Sequence, residues 1–174
     1  NMFWRKSNKP LKDKWIPCPY TPRSCFILIS KKYNEIIFVP QGQINQTTKA
    51  ELDKVRVFEW PLQPSQIQRS IIETINDFDF NLADIVPSND NWFSLKSCKG
   101  ETQQSYKVDY IRIDITTDTN RKYRENQHEV FSVKINPADL LRPNFRLEGT
   151  SNLNENRMGE LIVNMYNACM KIRS

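Results

Sequence analysis

The sequence predicts an α+β fold, in which an antiparallel β-sheet of about five to six strands carries one mid-chain helix and one long C-terminal helix packed on it. Three observations lead to this prediction. Apolar runs of strand length come in hairpin order near the start of the chain, an amphipathic helical pattern follows them, and a longer one closes the sequence. Strands that are neighbours in sequence usually pair in space, so the sheet is expected to be antiparallel.

The first two strands are predicted at residues 25–29 and 35–39. They are joined by the short polar segment 30–34 and closed by Pro40, which is the pattern of a β-hairpin. Their unbroken apolarity predicts that both faces of these strands are covered. A third strand is predicted around Val57 and Phe58, ending at Trp60.

Two helices follow from apolar residues at helical spacing. Pro64 is suited to the first turn of a helix, and Ile67, Ile71 and Ile75 recur at i, i+4 and i+8 behind it. The last helix is predicted over residues 154–173, with an apolar stripe formed by Met158, Leu161, Ile162, Met165, Cys169 and Ile172. Its length and stripe predict that it covers a sheet.

Between the helices the pattern predicts three further strands. Residues 92–95 form a short one and residues 106–116 a long one, in which the apolar positions change parity after Tyr110. Such a change predicts a bulge or burial on both faces. Residues 129–135 alternate again. The long links 79–91, 117–128 and 136–153 are expected to offer binding surfaces.

Positive charge is concentrated at one end of the chain. Residues 1–32 carry eight Lys/Arg and one acid, Asp13, for a net charge of +7, whereas the remaining 142 residues sum to −2. We therefore predict a basic, proline-rich N-terminal arm over residues 1–23 and a single α+β domain over residues 24–174. Such asymmetry indicates an acidic partner for the arm.

No run of the sequence reaches the roughly 18 to 20 apolar residues of a membrane span. The first residues lack the apolar segment of a signal peptide, because lysines and Pro10 stand in its place. The expected location is the cytoplasm.

Composition argues against several kinds of chemistry. The four glycines are isolated, so the sequence contains neither the P-loop motif nor the dinucleotide-binding motif, both of which need clustered glycines. Cys18 and Cys25 are spaced too widely for a typical structural zinc pair, and His128 is the only histidine. We therefore expect free thiols, no metal, no cofactor and no catalytic set.

Two alternatives remain open. Asp109 and Asp114 flank a predicted strand, and with Lys107 or Lys134 nearby they could form the carboxylate pair of a metal-dependent nuclease. The arm interleaves cations with aromatic residues, a combination that neutralises phosphates and stacks on bases, so it could bind nucleic acid.

The preferred interpretation is a non-catalytic protein-binding module, specifically a bacterial inhibitor or immunity-type protein that neutralises an acidic partner such as a toxin domain. Complementary charge would steer the encounter, and aromatic anchors would supply affinity. The predicted anchors are Trp4, Trp15 and Tyr20, and the predicted steering charges are Arg5, Lys12 and Lys14.

Overall fold

One antiparallel sheet organises the computed structural model, which describes residues 22–80, 82, 92–117, 130–135, 147–152 and 157–173. The strands are β1 (Ser24–Ser30), β2 (Glu35–Gln43), β3 (Lys49–Glu51), β4 (Arg56–Glu59), β5 (Ile111–Thr117), β6 (Val130–Ile135) and β7 (Leu147–Asn152). The helices are α1 (Pro64–Asn76), α2 (Phe93–Ser97), α3 (Gln103–Val108) and α4 (Arg157–Arg173). This arrangement confirms the predicted α+β class, with α1 in the middle of the chain and α4 at its end.

The sheet has the strand order β3-β2-β1-β5-β6-β7, and β4 pairs with the first half of β2. The predicted hairpin is confirmed: β1 and β2 pair antiparallel from Cys25 opposite Pro40 to Ser30 opposite Glu35. Asn34 closes the connecting turn with a φ of 51°, a left-handed conformation that asparagine tolerates better than most residues.

The apolar residues of β1 and β2 follow one another without alternation because both faces of these strands are buried. Alternate residues of the central strands pack beneath α1 and α4, where Ile27, Phe38 and Ile113 belong to the larger apolar core. The residues of opposite parity, Phe26 and Leu28 among them, pack on the other face in a smaller cluster. The prediction that both faces are covered is therefore confirmed for these two strands.

Close contact between α1 and α4 forms the outer layer above the larger core. Ile67, Ile71 and Ile75 point from α1 into that core, as the spacing predicts. A Cβ atom added to Gly159 of α4 would lie 1.9 Å from the carbonyl oxygen of Pro64, so only glycine allows the two helices to approach this closely. The backbone N–H of Met158 donates to the side-chain oxygen of Gln68 at 3.2 Å and joins them further.

Two strand predictions are wrong between residues 92 and 110. Residues 92–95 enter helix α2, where the backbone N–H of Ser94 donates to the carboxylate of Glu51 at 2.7 Å. The predicted strand 106–116 is helix α3 followed by β5, and the Thr102 hydroxyl caps α3 by accepting from Ser105 N–H. The change of parity after Tyr110 is thus a boundary between a helix and a strand.

The short strand β3 and the strand β7, within the link 136–153, were not predicted. β7 pairs with β6 along its length, from Leu147 opposite Ile135 to Asn152 opposite Val130. Most of the three long links lies outside the described residues. Among the helices that the structure describes, none has the length and apolarity needed to cross a membrane.

Candidate functional site

The six residues predicted to bind a partner all lie outside the described residues: Trp4, Arg5, Lys12, Lys14, Trp15 and Tyr20. Cys18 and His128 also lie outside them. The described chain begins at Pro22 and joins the sheet through Arg23, whose backbone N–H donates to the Thr117 hydroxyl at 2.8 Å. The interface assigned to the arm therefore stays a prediction.

The two carboxylates considered for a metal site belong to separate ion pairs. Asp109 follows α3 and accepts from Lys32 Nζ at 3.0 Å, whereas Asp114 lies within β5 and pairs with Arg112 at 3.0 Å. Hydrogen bonds from Ser105 and Lys32 lower the pKa of Asp109. In the part of the chain that the structure describes, no group of three or more histidine, cysteine or acidic side chains could hold a metal ion.

The two lysines proposed to assist those carboxylates lie on different elements. Lys134 lies opposite Asp114 in the pairing of β5 with β6, and its Nζ lies 3.7 Å from the carboxylate of Glu148. Lys107 is exposed on α3. Lys134 is thus held in a surface ion pair, which is the commoner role of a charged side chain on a strand.

The described cysteines are buried free thiols that belong to different cores. Cys25 and Cys169 lie in the larger core, and Cys98 lies in the smaller one on the opposite face of the sheet. Burial raises the pKa of the Cys98 thiol to about 12 and raises that of Cys25 as well. Because the thiolate is the reactive form, these thiols are inert in the folded protein.

Glu35 is a buried carboxylate, 1% exposed, that the sequence pattern did not single out. Its Oε1 atom accepts hydrogen bonds from the Tyr110 hydroxyl and, at 2.9 Å, from the backbone N–H of Lys99. Burial raises the pKa of Tyr110, and the bond to Glu35 raises it further. These bonds tie the first hairpin to the segment between α2 and β5, which indicates a structural role for Glu35.

Two depressions lie on either side of the β1–β2 turn at residues 31–34. The first, which we call the Trp60 cleft, has a volume of about 580 Å³ and lies between the turn, the segment 60–64 and α4. The second, which we call the Tyr33 depression, has a volume of about 470 Å³ and is lined by the turn and the surroundings of α3. Both volumes fall within the range of ligand-binding pockets.

The Tyr33 depression is closed by hydrogen bonds between its own side chains. The hydroxyls of Tyr33 and Ser105 lie 3.0 Å apart, and Ser105 also donates to Asp109. Lys32, on the same rim, is paired with Asp109. Since these polar groups already have partners, the depression offers little to a ligand.

The Trp60 cleft has an apolar wall, which encloses the hydroxyl of Tyr166. The ring of Tyr166 meets the indole of Trp60 edge to face, with 4.9 Å between the ring centroids, and Leu62, Val163 and Met170 complete the apolar lining. Tyr166 is 5% exposed, and its hydroxyl has no hydrogen-bond partner of ordinary geometry among the described residues. Burial raises the pKa of this phenol, while the nearby Trp60 indole and the charge of Arg173 lower it.

Two cations stand beside the cleft. Lys31 lines it from the β1–β2 turn and is exposed, and Arg173 approaches from the last turn of α4. Neither forms an ion pair with a described acidic residue. An apolar cleft beside two cations that have no acidic partner in the described part of the chain can hold an apolar group attached to an anion.

Sequence reasoning missed this cleft because its walls come from three distant segments. One local signal exists: Val163, Tyr166, Asn167 and Met170 recur at i, i+3, i+4 and i+7 on α4. That spacing marks one helical face, yet the sequence does not show that Trp60 and Lys31 lie opposite it.

Comparison with known proteins adds information about the fold alone. No protein-family model and no curated protein matches the chain. Among solved structures, the chain is similar to a protein of unknown function from Neisseria meningitidis, with a TM-score of 0.57 and 8% sequence identity. The similarity covers 86% of this chain and 96% of that one, so the two share a common α+β architecture.

Proposed function

We propose that this chain is a non-catalytic protein-binding module of the inhibitor or immunity type, which neutralises an acidic partner such as a toxin domain. The observation that carries this proposal is the charge asymmetry: residues 1–32 sum to +7, and the rest of the chain sums to −2. Charge concentrated in this way accelerates encounter with an oppositely charged surface and orients it.

The described side chains agree with a binding role. The acidic groups considered for catalysis, Asp109 and Asp114, are held in ion pairs, and the three described thiols are buried. Two lysines lie in the β1–β2 turn. Lys32 forms an ion pair with Asp109, whereas Lys31 is exposed and has no acidic partner among the described residues. Lys31 therefore places a further positive charge at the other end of β1 from the arm's attachment.

In this proposal the arm supplies the first contacts. Arg5, Lys12 and Lys14 attract the acidic partner, and Trp4, Trp15 and Tyr20 anchor it by burying large rings against its surface. Inhibition follows from occlusion: a bound protein covers the partner's own site and needs no chemistry. We further propose that the protein acts in a bacterial cytoplasm, because free buried thiols suit a reducing compartment.

The proposal is tested by affinity capture from the native cell lysate, with and without nuclease treatment. The baits are the full chain and a version that lacks residues 1–22. We expect the full chain to capture one nuclease-resistant acidic protein, and the truncated chain to lose most of it. Capture that survives both truncation and high salt would contradict an interface at the arm.

A matched set of variants distinguishes the effect of the arm's positive charges from the effect of the protein's net charge. The triple variant Arg5→Ala, Lys12→Ala and Lys14→Ala is compared with a control triple of domain residues, Lys54→Ala, Lys96→Ala and Lys107→Ala. Both lose three positive charges, but only the first should slow association strongly at low ionic strength. Equal slowing by the two triples would mean that only net charge matters.

Nucleic acid is the second candidate partner, favoured by the interleaving of cations and aromatic residues in the arm. It makes a different prediction for the same experiment. Nuclease treatment would then abolish capture, and affinity for a single-stranded oligonucleotide would fall steeply with salt concentration. Binding that is insensitive to nuclease would remove this candidate.

A further inference from the structure

We propose that the Trp60 cleft is a specific anchor site for the acidic partner: it receives one large apolar side chain from a segment that carries carboxylates on either side. This inference rests on the proposed function, because it takes the partner to be an acidic protein. It adds a second contact region, on the folded domain, to the one assigned to the arm.

The shape and lining of the cleft set the first requirement. A volume of about 580 Å³ accommodates an aromatic or branched side chain with part of its backbone. Trp60, Leu62, Val163 and Met170 offer apolar contact on opposite walls. Burial of one large apolar group in such a pocket is the usual basis of a strong local contribution to protein binding.

Tyr166 sets the second requirement. Its residue lines the cleft, but its hydroxyl oxygen is enclosed, lies against the Trp60 indole and has no hydrogen bond of ordinary geometry among the described residues. A bound group can therefore pack on the Tyr166 ring but cannot reach the hydroxyl. The second requirement is thus an apolar group that needs no hydrogen bond from this wall.

The cations set the third requirement and decide among occupants. Lys31 and Arg173 favour carboxylates beside the apolar group. The chain's own arm is itself basic, so its cations would meet these two with the same sign. A second copy placed symmetrically on the cleft would bring the same pair of cations against each other. Charge complementarity therefore favours an acidic partner segment.

The probe for this site is a synthetic pentapeptide with a central phenylalanine, two acidic residues on each side and blocked ends. Binding is followed by NMR on the full chain labelled at methionine methyl groups and tryptophan indole nitrogens. We expect saturable shifts of the Met170 methyl and the Trp60 indole, while the core residue Met158 and Trp92 on the opposite face stay unchanged. Absence of saturable shifts up to about 5 mM peptide would overturn the proposal.

Two further peptides test each chemical requirement separately. Replacement of the phenylalanine by alanine should weaken binding at least about tenfold, because the apolar contact is lost. Replacement of the acidic residues by lysines should weaken it to a similar extent, because Lys31 and Arg173 then repel the peptide. Equal binding of all three peptides would overturn the assignment of the cleft to an acidic segment.

Variants with matched controls place the contact within the cleft. Asn167 lies at the exposed rim and Asn164 is exposed on the same helix outside the cleft, so Asn167→Trp should block the peptide while Asn164→Trp should not. Lys31→Glu should weaken binding about fivefold, and Lys107→Glu on the other face should leave it unchanged. Unchanged circular dichroism establishes that each variant folds.

Affinity capture with Asn167→Trp distinguishes this inference from the proposed function. If the full chain captures an acidic protein and Asn167→Trp captures it equally well, the cleft is not an anchor and the proposed function stands. If no acidic protein is captured at all, the proposed function fails. A Met170 shift on removal of residues 1–22, or on raising the protein concentration, would show that the arm or a second copy occupies the cleft and would overturn the inference.

Discussion

Replacing Gly159 with alanine perturbs the contact between α1 and α4, on which one wall of the Trp60 cleft depends. The new Cβ would lie 1.9 Å from the carbonyl oxygen of Pro64 and 2.5 Å from its carbonyl carbon. Carbon atoms do not tolerate such distances, and both neighbouring atoms belong to the backbone of α1. Neither can rotate away, so the two helices must separate by about 1 Å or more.

Two effects of opposite sign decide the outcome. Alanine favours a helix over glycine by about 1 kcal/mol. Overpacking of a rigid contact usually costs about 1 to 3 kcal/mol, and more where backbone meets backbone. The clash is severe and involves no flexible side chain, so we expect a net loss of about 2 kcal/mol in the free energy of unfolding, with a fall in Tm of about 4 to 8 °C.

The assay is urea and thermal unfolding followed by circular dichroism. Gly149→Ala is the control, because its Cβ would meet the flexible end of the Leu161 side chain at 2.9 Å, and it should lose less than about 1 kcal/mol. The Trp60 indole resonance should shift in Gly159→Ala, since Pro64 lines the cleft. A Gly159→Ala protein as stable as its parent would refute the close contact between the two helices.

Four further predictions follow from single groups. Tyr166→Phe removes a buried hydroxyl that has no hydrogen bond of ordinary geometry among the described residues, so stability should hold or rise by about 1 kcal/mol. A loss of that size in urea unfolding would show that the contact with the Trp60 indole is a stabilising hydrogen bond. Glu35→Ala leaves the buried Tyr110 hydroxyl and the half-buried backbone N–H of Lys99 without their acceptor and should lower stability by about 2 kcal/mol in the same assay. The raised pKa of Cys98, about 12, keeps this thiol protonated near pH 8, so mass spectrometry should find it alkylated only after unfolding. The pKa of Asp109 is lowered in the folded state, so its ionised form stabilises the protein above the unfolded pKa of about 3.9, and this contribution disappears as the pH falls through the folded value. Asp109→Asn should therefore be less stable than its parent by at most about 1 kcal/mol near neutral pH, and this difference should disappear in acid unfolding series once the pH lies below the folded pKa.

Elements defined by local periodicity could be predicted from the sequence. The β1–β2 hairpin shows two apolar runs around a short polar turn, and α1 repeats isoleucine at the spacing of one helical face. Each of these patterns is complete within a dozen residues or so and does not depend on the rest of the chain. The long helix α4 was recognised for the same reason, over the part that the structure describes.

Residues 103–110 show why the middle of the chain resisted prediction. Tyr106 and Tyr110 fit an alternating strand, but they are also four apart, which is the helical spacing. Tertiary contacts settle the choice, since Tyr110 stacks on Tyr33 with 5.8 Å between ring centroids and binds Glu35. The cap at Thr102 was the local signal for a helix. No such signal marks β3 or β7, because the residues of both strands are largely polar.

The candidate site could be predicted only in part. The charge of a segment can be counted from the sequence, whereas a cleft exists only once distant segments have folded together. The positive arm follows from counting residues, whereas the Trp60 cleft requires that the segment 60–64, the β1–β2 turn and α4 meet. Trp60 and Tyr166 are far apart in the chain and share one edge-to-face contact. The close contact of α1 with α4 at Gly159 helps to form the cleft, because it fixes the position of Pro64 against α4.

The point where the arm is attached to the sheet is well separated from the cleft. The arm joins the sheet at Ser24, and the cleft lies beside the turn at the other end of β1, after Ser30. Seven residues of strand span about 20 Å. An interface of ordinary size between two proteins can cover both points. Two weak contacts on one partner also reinforce each other, because the first raises the effective concentration of the second. Loss of either the arm or the cleft should therefore weaken capture by more than its own contribution to a short peptide.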